Sequence, residues 1–188
     1  MRVLVLGGMH GNEMLGIELV ELLQRKPLKN VDTMLLNEQA ITADTRFIKQ
    51  DLNRSFPGNL LSDDYETRRA AEVLEACSGY DVVLDFHNTM CPDNDCSFVG
   101  ETCDKELFDI ASLCDVERVV VADYDCLNKY ASNCISIEIS FSSDKCHADY
   151  WYEKLGQLAD VTTVTKATNI TKYKFVYRMT LDDKARLN

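Results

Sequence analysis

The chain lacks several features that mark whole classes of proteins. No apolar run approaches the length of a signal sequence or a membrane span, so we expect a cytoplasmic protein with no membrane partner. Basic residues are few: 20 lysines and arginines stand against 31 acidic residues, and the formal charge of −11 argues against nucleic acid as a partner. An anionic substrate remains compatible with this charge, because a few arginines inside a cleft can reverse the local potential.

The spacing of the cysteines and the overall composition exclude further classes of protein. The eight cysteines include no Cys-x-x-Cys pair, so a cysteine zinc knuckle or a thioredoxin-like site has no support, and we expect free thiols. No biased or repeated segment occurs. A length of 188 residues, of which 46% are hydrophobic, suffices for one main domain with a real core.

Short β-branched runs alternate with stretches of helical period along most of the chain. The predicted strands are 3–6, 31–36, 82–86, 97–99, 119–121 and 135–141. The predicted helices are 13–25, 63–77, 105–113 and 144–158. This alternation predicts an α/β fold with a mixed, largely parallel central sheet and helices on both faces. Ligands of such sheets bind beyond the carboxyl ends of the strands.

Three segments supply detail on boundaries. Asp63 followed by Glu66 fits a capping box at the start of the second predicted helix. Residues 37–61 are polar and have no strong period, which is typical of a long functional loop. After about Asp160 the sequence becomes threonine-rich and β-branched, so we expect a main domain over 1–160 and a short β-rich C-terminal segment, a hairpin or an added strand, over 161–188.

The turn after the first predicted strand carries a candidate metal-binding pair. The strand runs into Gly7-Gly8-Met9-His10-Gly11-Asn12-Glu13, whose glycines permit a sharp reversal before the helix. His10 and Glu13 are three residues apart, close enough to reach one metal ion, and imidazole with carboxylate is a zinc-type pair. Such a turn could instead cradle a phosphate, but neither Gly-x-Gly-x-x-Gly nor a P-loop Lys-Ser/Thr is present. His-x-x-Glu alone also arises by chance.

A second histidine ends another predicted strand. His87 lies just past the apolar run 82–86, at the same predicted sheet edge as His10, and these are two of only three histidines. Asp85 could orient a ligand histidine or form an ordinary strand-end hydrogen bond. A lone histidine in this position is often structural. If His87 is the third ligand, the fourth tetrahedral position stays open for water, as in catalytic zinc sites.

Polar residues in the long loop and in the last predicted strand could complete such a site. Arg54 beside Asn53 could clamp a carboxylate through a forked guanidinium and an amide, or be a solvated loop arginine. Glu138 lies in Ile135-Ser136-Ile137-Glu138-Ile139, whose alternation sets it on one strand face. On a central strand it would need a partner and could act as a general base; on an edge strand it would face solvent.

The motifs together resemble one enzyme family. Gly-Gly-x-His-Gly-Asn-Glu, Asp-Leu-Asn-Arg-x-Phe, Asp-x-His-Asn-Thr and Ile-Glu-Ile, in that order and with Tyr-Glu-x-Arg-Arg-Ala between the blocks, resemble the aspartoacylase and succinylglutamate desuccinylase family of the zinc-carboxypeptidase superfamily. The likeness covers roughly residues 2–158. It implies one zinc ion per chain, bound by His10, Glu13 and His87.

The resemblance also implies roles for the remaining polar residues. Glu138 would be the general base, Arg46 a donor to the polarised carbonyl, and Asn53 with Arg54 the clamp for a substrate carboxylate. The implied activity is zinc-dependent hydrolysis of the amide bond of an N-acyl amino acid, a small molecule with a free carboxylate. A non-catalytic protein that binds zinc and carboxylates, or a carboxypeptidase acting on short peptides, would use the same residues.

The sequence departs from the family pattern at two places. Aspartoacylases have a substrate-binding arginine ten residues before the catalytic glutamate, where this chain has Asn128 followed by Lys129. They also continue into a C-terminal β domain of about a hundred residues, of which this sequence holds at most a remnant. We therefore expect an altered pocket wall, and one hypothesis is a homo-oligomer in which a neighbouring subunit completes the active site.

Overall fold

A seven-stranded mixed sheet forms the centre of the computed structural model, which describes residues 1–159 and 170–175. The strands are β1 (Val3–Gly7), β2 (Val31–Leu35), β3 (Val82–Thr89), β4 (Cys96–Gly100), β5 (Arg118–Ala122), β6 (Cys134–Ser140) and β7 (Thr171–Lys174). Their order is β2-β1-β3-β6-β4-β5-β7. The first four in this order are parallel, β4 is antiparallel to β6, and β5 and β7 run parallel to β4.

Helices cover both faces of this sheet, as the alternating pattern predicts. They are α1 (Met14–Arg25), α2 (Glu38–Thr42), α3 (Tyr65–Cys77), α4 (Glu106–Leu113), α5 (Leu127–Tyr130) and α6 (Ala148–Ala159). The apolar sides of α1, α4 and α6 share one core with the sheet, while α3 and α5 pack with β1, β3 and β6 on the other face. The predicted α/β fold class is confirmed.

The turn from β1 into α1 depends on glycine. Gly8 has a φ of +73°, in the left-handed region that favours glycine. A Cβ on Gly7 would lie 2.1 Å from the carbonyl oxygen of Gly16, so the strand and the helix pack closer than any larger residue allows. This close approach sets the position of the turn that carries His10 and Glu13.

The start of α3 corrects one detail of the sequence analysis. Asp64, not Asp63, is the N-cap, and its carboxylate accepts a hydrogen bond from Thr67 N at 3.3 Å. Glu66 does not return to the cap. It is fully buried, and its carboxylate accepts hydrogen bonds from the backbone N–H groups of Ile48 and Lys49, so it anchors the preceding loop.

The C-terminal region is described only in part. Most of the predicted β-rich segment 161–188 lies outside the described residues, and the domain boundary stays a prediction. Within 170–175, β7 pairs with β5 and so extends the main sheet. Every helix in the described part of the chain is too short or too polar to cross a membrane.

Candidate functional site

Two histidines and a glutamate meet where β1 and β3 end. Glu13 Oε1 lies 2.7 Å from His10 Nδ1, and Glu13 Oε2 lies 3.0 Å from His87 Nδ1. One ligand atom from each of the three residues lies within 4.8 Å of the others, and all three side chains are buried. The carboxylate thus bridges two ring nitrogens that face each other, an arrangement that can hold a metal ion.

The opposite ring nitrogens are held by two further carboxylates. His87 Nε2 is 2.8 Å from Asp85 Oδ2, and His10 Nε2 is 3.2 Å from Asp51 Oδ1. Carboxylates in this position fix the orientation and tautomer of a ligand histidine and leave Nδ1 for the metal. The donor set and its outer partners therefore fit a divalent metal that accepts nitrogen and oxygen ligands.

These contacts shift the protonation of the histidines and carboxylates. Burial alone would lower the pKa of His10, but hydrogen bonds to Asp51 and Glu13 raise it. Burial alone would also lower the pKa of His87, yet the adjacent Asp85 carboxylate raises it well above the usual value. Burial would raise the pKa of Glu13, but hydrogen bonds from both histidines hold it far below its usual range. A cation at this site must therefore compete with protons on the two rings.

Glu138 lies beside this cluster on the neighbouring strand. It is paired in register with His87 across β3 and β6, so the two side chains project from the same face of the sheet. Burial raises the pKa of the Glu138 carboxyl, and the negative charges of Glu13 and Asp85 add to the increase. The strand is central, with β3 on one side and β4 on the other, so the alternative of an edge strand in solvent does not apply.

The long loop brings its arginines to the same region. Arg46 donates to Glu13 Oε1 at 3.2 Å and lies 2.8 Å from His10 Nε2, so it contacts the candidate metal ligands directly. Asn53 lies in a single 3₁₀ turn, Leu52–Arg54, and its amide oxygen accepts from Leu127 N at 3.2 Å. Arg54 places its guanidinium 4.8 Å from the centre of the Tyr124 ring.

A cavity of about 950 Å³ joins these groups. His10, Glu13, Arg46, Asn53, Arg54 and Glu138 all line it, and its far wall is formed by side chains of β4, β5 and the residues around β7. The family resemblance implies that these six residues belong to one site. The structure brings them to one cavity.

Asn128 does not line this cavity. It is 1% exposed, and its Nδ2 donates to the carbonyls of Phe98 and Cys134 at 3.0 and 3.1 Å, while its Oδ1 accepts from Ser136 Oγ at 2.9 Å. The residue at the position of the missing family arginine therefore has a packing role between β4, β6 and α5.

Several residues of the site have no role assigned from the sequence. Asp51 belongs to the Asp-Leu-Asn-Arg motif, and its carboxylate contacts His10. Asn88 lies in Asp-x-His-Asn-Thr, and its Oδ1 accepts from Leu15 N at 3.0 Å, which caps the start of α1. Phe98 and Arg118 line the cavity from strands whose register no sequence motif reveals, and Tyr124 lines it from the loop after β5.

Comparison with known sequences identifies relatives. Residues 1–157 match the family model described as the succinylglutamate desuccinylase/aspartoacylase catalytic domain. An N-acyl-aromatic-L-amino acid amidohydrolase (carboxylate-forming) of Xenopus laevis is 38% identical over 47% of this chain, and an aspartoacylase of Danio rerio is 37% identical over 47%. In each case the alignment spans 34% of the relative, about a third of its length.

Solved structures share the fold. The succinylglutamate desuccinylase of Chromobacterium violaceum superposes with a TM-score of 0.76 at 18% identity, over 96% of this chain and 71% of that one. Murine aminoacylase 3 gives a TM-score of 0.67 at 23% identity, over 85% and 63%. At these identities the superpositions establish the fold alone. The sequence match over 1–157 carries the assignment, and the chain belongs to the succinylglutamate desuccinylase/aspartoacylase family.

Proposed function

We propose that this protein is a zinc-dependent amidohydrolase that cleaves the amide bond of an N-acyl amino acid with water. The observation that carries the proposal is the juxtaposition of the His10–Glu13–His87 cluster with Glu138, in register beside His87, on a cavity that arginines also line. Family membership and the relatives named as acyl amino acid hydrolases support the same reaction class.

His10, Glu13 and His87 would hold the zinc ion through two imidazole nitrogens and a carboxylate oxygen. When bound there, zinc supplies a Lewis acid that polarises a carbonyl and lowers the pKa of water to about 7. Asp85 and Asp51 keep the two rings oriented by accepting from their Nε2 atoms.

Glu138 has the environment that a general base needs. Its raised pKa, caused first by burial, makes the carboxylate a better proton acceptor near neutral pH. In the proposed reaction it takes a proton from the attacking water while the water oxygen bonds to the carbonyl carbon. It then delivers that proton to the amide nitrogen as the C–N bond breaks, which yields a carboxylic acid and an amine.

Arg46 would stabilise the negative charge that develops on the carbonyl oxygen. Its guanidinium lies near His10 Nε2, and the Asp51 carboxylate lies within hydrogen-bond distance of the same nitrogen. If His10 held a metal, its other ring nitrogen would carry the proton, donate to Asp51 and no longer accept from Arg46. The Arg46 N–H groups that do not contact Glu13 could then donate to the substrate, a contribution worth roughly 3–4 kcal/mol in comparable sites.

Asn53 and Arg54 would bind the free carboxylate of the amino acid. Arg54 lines the cavity, and the Tyr124 ring beneath its guanidinium restricts it to that wall. The hydrogen bond from Leu127 N fixes the amide of Asn53. Holding the carboxylate there positions the amide bond next to Glu138 and Arg46.

Metal analysis followed by a substrate panel tests the proposal. Protein purified without added zinc should contain close to one equivalent, and His10→Ala and His87→Ala should lose it while the exposed His147→Ala retains it. The zinc protein should hydrolyse N-acyl amino acids and not short peptides, which separates the proposal from a carboxypeptidase. Less than half an equivalent of any transition metal, with unchanged zinc titrations in both ligand variants, would refute the metal site.

Glu138→Gln separates an enzyme from a binding protein. We expect kcat to fall by about 100-fold or more with zinc content unchanged, because general-base catalysis contributes factors of this size. Glu75→Gln, an exposed residue of α3, is the matched control and should keep full activity. Unchanged hydrolysis in Glu138→Gln would show that the base is another group.

A further inference from the structure

Arg118 faces the same cavity as Glu138 from two strands away. Cys96 pairs with Glu138 across β4 and β6, and extending the β4–β5 register by one residue sets Arg118 beside Cys96. All three side chains line the cavity. With neighbouring strands about 4.8 Å apart, the backbone of Arg118 lies roughly 10 Å from that of Glu138. That spacing is within reach of an arginine side chain and a short substrate.

Ion pairing distinguishes two arginines from the others. Within residues 1–159 and 170–175, five arginines have a carboxylate within 4.0 Å: Arg2, Arg25, Arg46, Arg68 and Arg69. In the same part of the chain, no described carboxylate lies that close to Arg54 or Arg118, and both line the cavity. Because acidic residues outnumber basic ones by 31 to 20, we expect most arginines to have a carboxylate partner. Within the described residues, the cavity therefore has two guanidinium groups, those of Arg54 and Arg118, that no carboxylate pairs with directly.

Neutral groups hold the Arg118 guanidinium in place. Nη1 donates to Asn94 Oδ1 at 3.3 Å, and Nη2 donates to the backbone carbonyl of Asp93. Asp93 has a φ of +55°, a turn conformation that directs this carbonyl to the guanidinium. These bonds use two of the five N–H donors and orient the group, but they leave its charge available to an anion.

An apolar strip lies along the sheet between the two arginines. Phe98, Val120 and Tyr173 are neighbours in register on β4, β5 and β7, and all three line the cavity. Arg118 is the first residue of β5, and Tyr124, whose ring lies against the Arg54 guanidinium, is two residues beyond the last residue of that strand. The Arg118 and Arg54 guanidinium groups are thus near opposite ends of β5. The apolar strip between them could contact the methylene groups of a substrate.

We propose that Arg118 binds a second carboxylate of the substrate, so that the cavity selects N-acyl amino acids carrying two carboxylates, one at Asn53 and Arg54 and one at Arg118. The inference rests on the proposed function. It assigns the second carboxylate to Arg118, on β5, and not to position 128, where aspartoacylases have an arginine and this chain has the buried Asn128. The second carboxylate comes either from the acyl chain or from the amino acid side chain, and both sources share the same chemistry.

Two pairs of ligands test this assignment. N-succinyl-L-leucine is compared with N-butyryl-L-leucine for an acyl carboxylate, and N-acetyl-L-aspartate with N-acetyl-L-asparagine for a side-chain carboxylate. Dissociation constants are measured by calorimetry in the zinc-loaded Glu138→Gln protein, which avoids turnover, and then with Arg118→Gln added. Arg25→Gln, which removes an exposed arginine paired with Glu21, is the matched control.

The dicarboxylate of at least one pair should bind more tightly than its neutral partner, and Arg118→Gln should weaken that ligand by about tenfold or more while changing the neutral one less than threefold. The pair that responds identifies the source of the carboxylate. Equal affinities within both pairs, or equal losses for both members, would overturn the role of Arg118. Turnover by the unmodified protein is a separate readout, so absence of hydrolysis would refute the proposed function without deciding the role of Arg118.

Discussion

Asp85 connects the candidate metal site to the packing of the sheet. It is fully buried, and one oxygen, Oδ2, receives contacts from both His87 Nε2 at 2.8 Å and Ser136 Oγ at 3.2 Å. The other oxygen, Oδ1, has no hydrogen-bond partner among the described residues. The burial of an ionised group with one unsatisfied oxygen is costly, and its retention is consistent with a role in orienting His87.

Replacing Asp85 by asparagine should weaken metal binding without removing a ligand. The amide accepts the His87 Nε2 proton less strongly than the carboxylate does, so we expect the zinc dissociation constant to rise roughly 10- to 100-fold. Competition with a chromophoric chelator measures it. Asp125→Asn, which alters an exposed carboxylate paired with Lys129, should leave the constant unchanged. An Asp85→Asn protein that melts normally and binds zinc as tightly as wild type would contradict this role.

The two site histidines also predict how stability depends on pH in the absence of metal. Both have pKa values raised above 6.5 in the folded chain, so the fold binds their protons more tightly than the unfolded chain does. The stabilisation that results is complete below about pH 6.5 and is lost as pH rises through the raised values. We therefore expect the melting temperature of chelator-treated protein to fall between about pH 6.5 and pH 8.

Calorimetric melting across that range, with His10→Asn and His147→Asn, checks the origin of the slope. The first substitution should flatten the pH dependence because it removes one of the two protons, and the second, at an exposed histidine, should not. Keeping below about pH 8 limits ionisation of cysteines in the unfolded chain, and the two variants contain the same cysteines. A melting temperature that is constant or rises over the range would contradict the proposed protonation of the site.

At the scale of elements, α3 holds the loop that presents Arg46. Glu66, on the first turn of α3, accepts hydrogen bonds from the N–H groups of Ile48 at 2.8 Å and Lys49 at 3.2 Å. Glu66→Ala should therefore raise the hydrogen-exchange rates of these two amides and lower the free energy of unfolding by about 1–3 kcal/mol. Glu75→Ala, on an exposed turn of the same helix, is the control. Unchanged protection of both amides would show that other contacts order the loop.

The long elements could be predicted because their patterns are long enough to be distinctive. Predicted and observed bounds of β1, α1, α4 and β6 agree within one residue at each helix end and strand end. The two helices repeat the helical period over two or more turns, β6 alternates over seven residues, and β1 is a continuous apolar run that ends at glycine. The five residues of α2 and the four of α5 repeat no period and were missed. The spacing to Glu66 favoured Asp63 as the cap and was misleading, because both aspartates precede the helix and only the backbone conformation distinguishes them.

The direction of the strands could not be predicted from the sequence either. Nothing in the residues of β4 distinguishes a parallel from an antiparallel neighbour, although its antiparallel pairing brings Cys96 next to Glu138. The residues near the ends of β1 and β3 could be grouped because parallel strands end at a common edge, and a family order reinforced them. Arg118 begins its strand instead of ending it, so this reasoning does not identify it.

At the scale of the whole molecule, the helices of the described residues cover the two faces of the sheet unequally. One face is covered by α1, α4 and α6, whereas α3 and α5 cover the other face mainly over β1, β3 and β6. The part of that second face formed by β4, β5 and β7 lines the cavity instead. The fold therefore leaves room for substrate on the side of the sheet where Glu138 and Arg118 project.

The same packing decides how the eight free cysteines react. Five are buried, namely Cys77, Cys96, Cys114, Cys126 and Cys134, two are half-buried, and only Cys91 is exposed. Burial raises the pKa of Cys77, Cys96 and Cys114 to about 12. A protonated thiol is a poor nucleophile, so even Cys96, which lines the cavity, should stay inert at neutral pH.

Thiol labelling of the native protein at about pH 7.5 should therefore resolve into classes. We expect one fast thiol, two slower ones at Cys103 and Cys146, and five that react only as the core opens. Cys91→Ser should remove the fast phase, and denatured protein should label at all eight positions. Because the five buried thiols pack in both cores and at the cavity wall, their common rate would report opening of the whole sheet. Buried thiols that react at clearly different rates, or faster than the free energy of global unfolding allows, would show that the sheet opens locally.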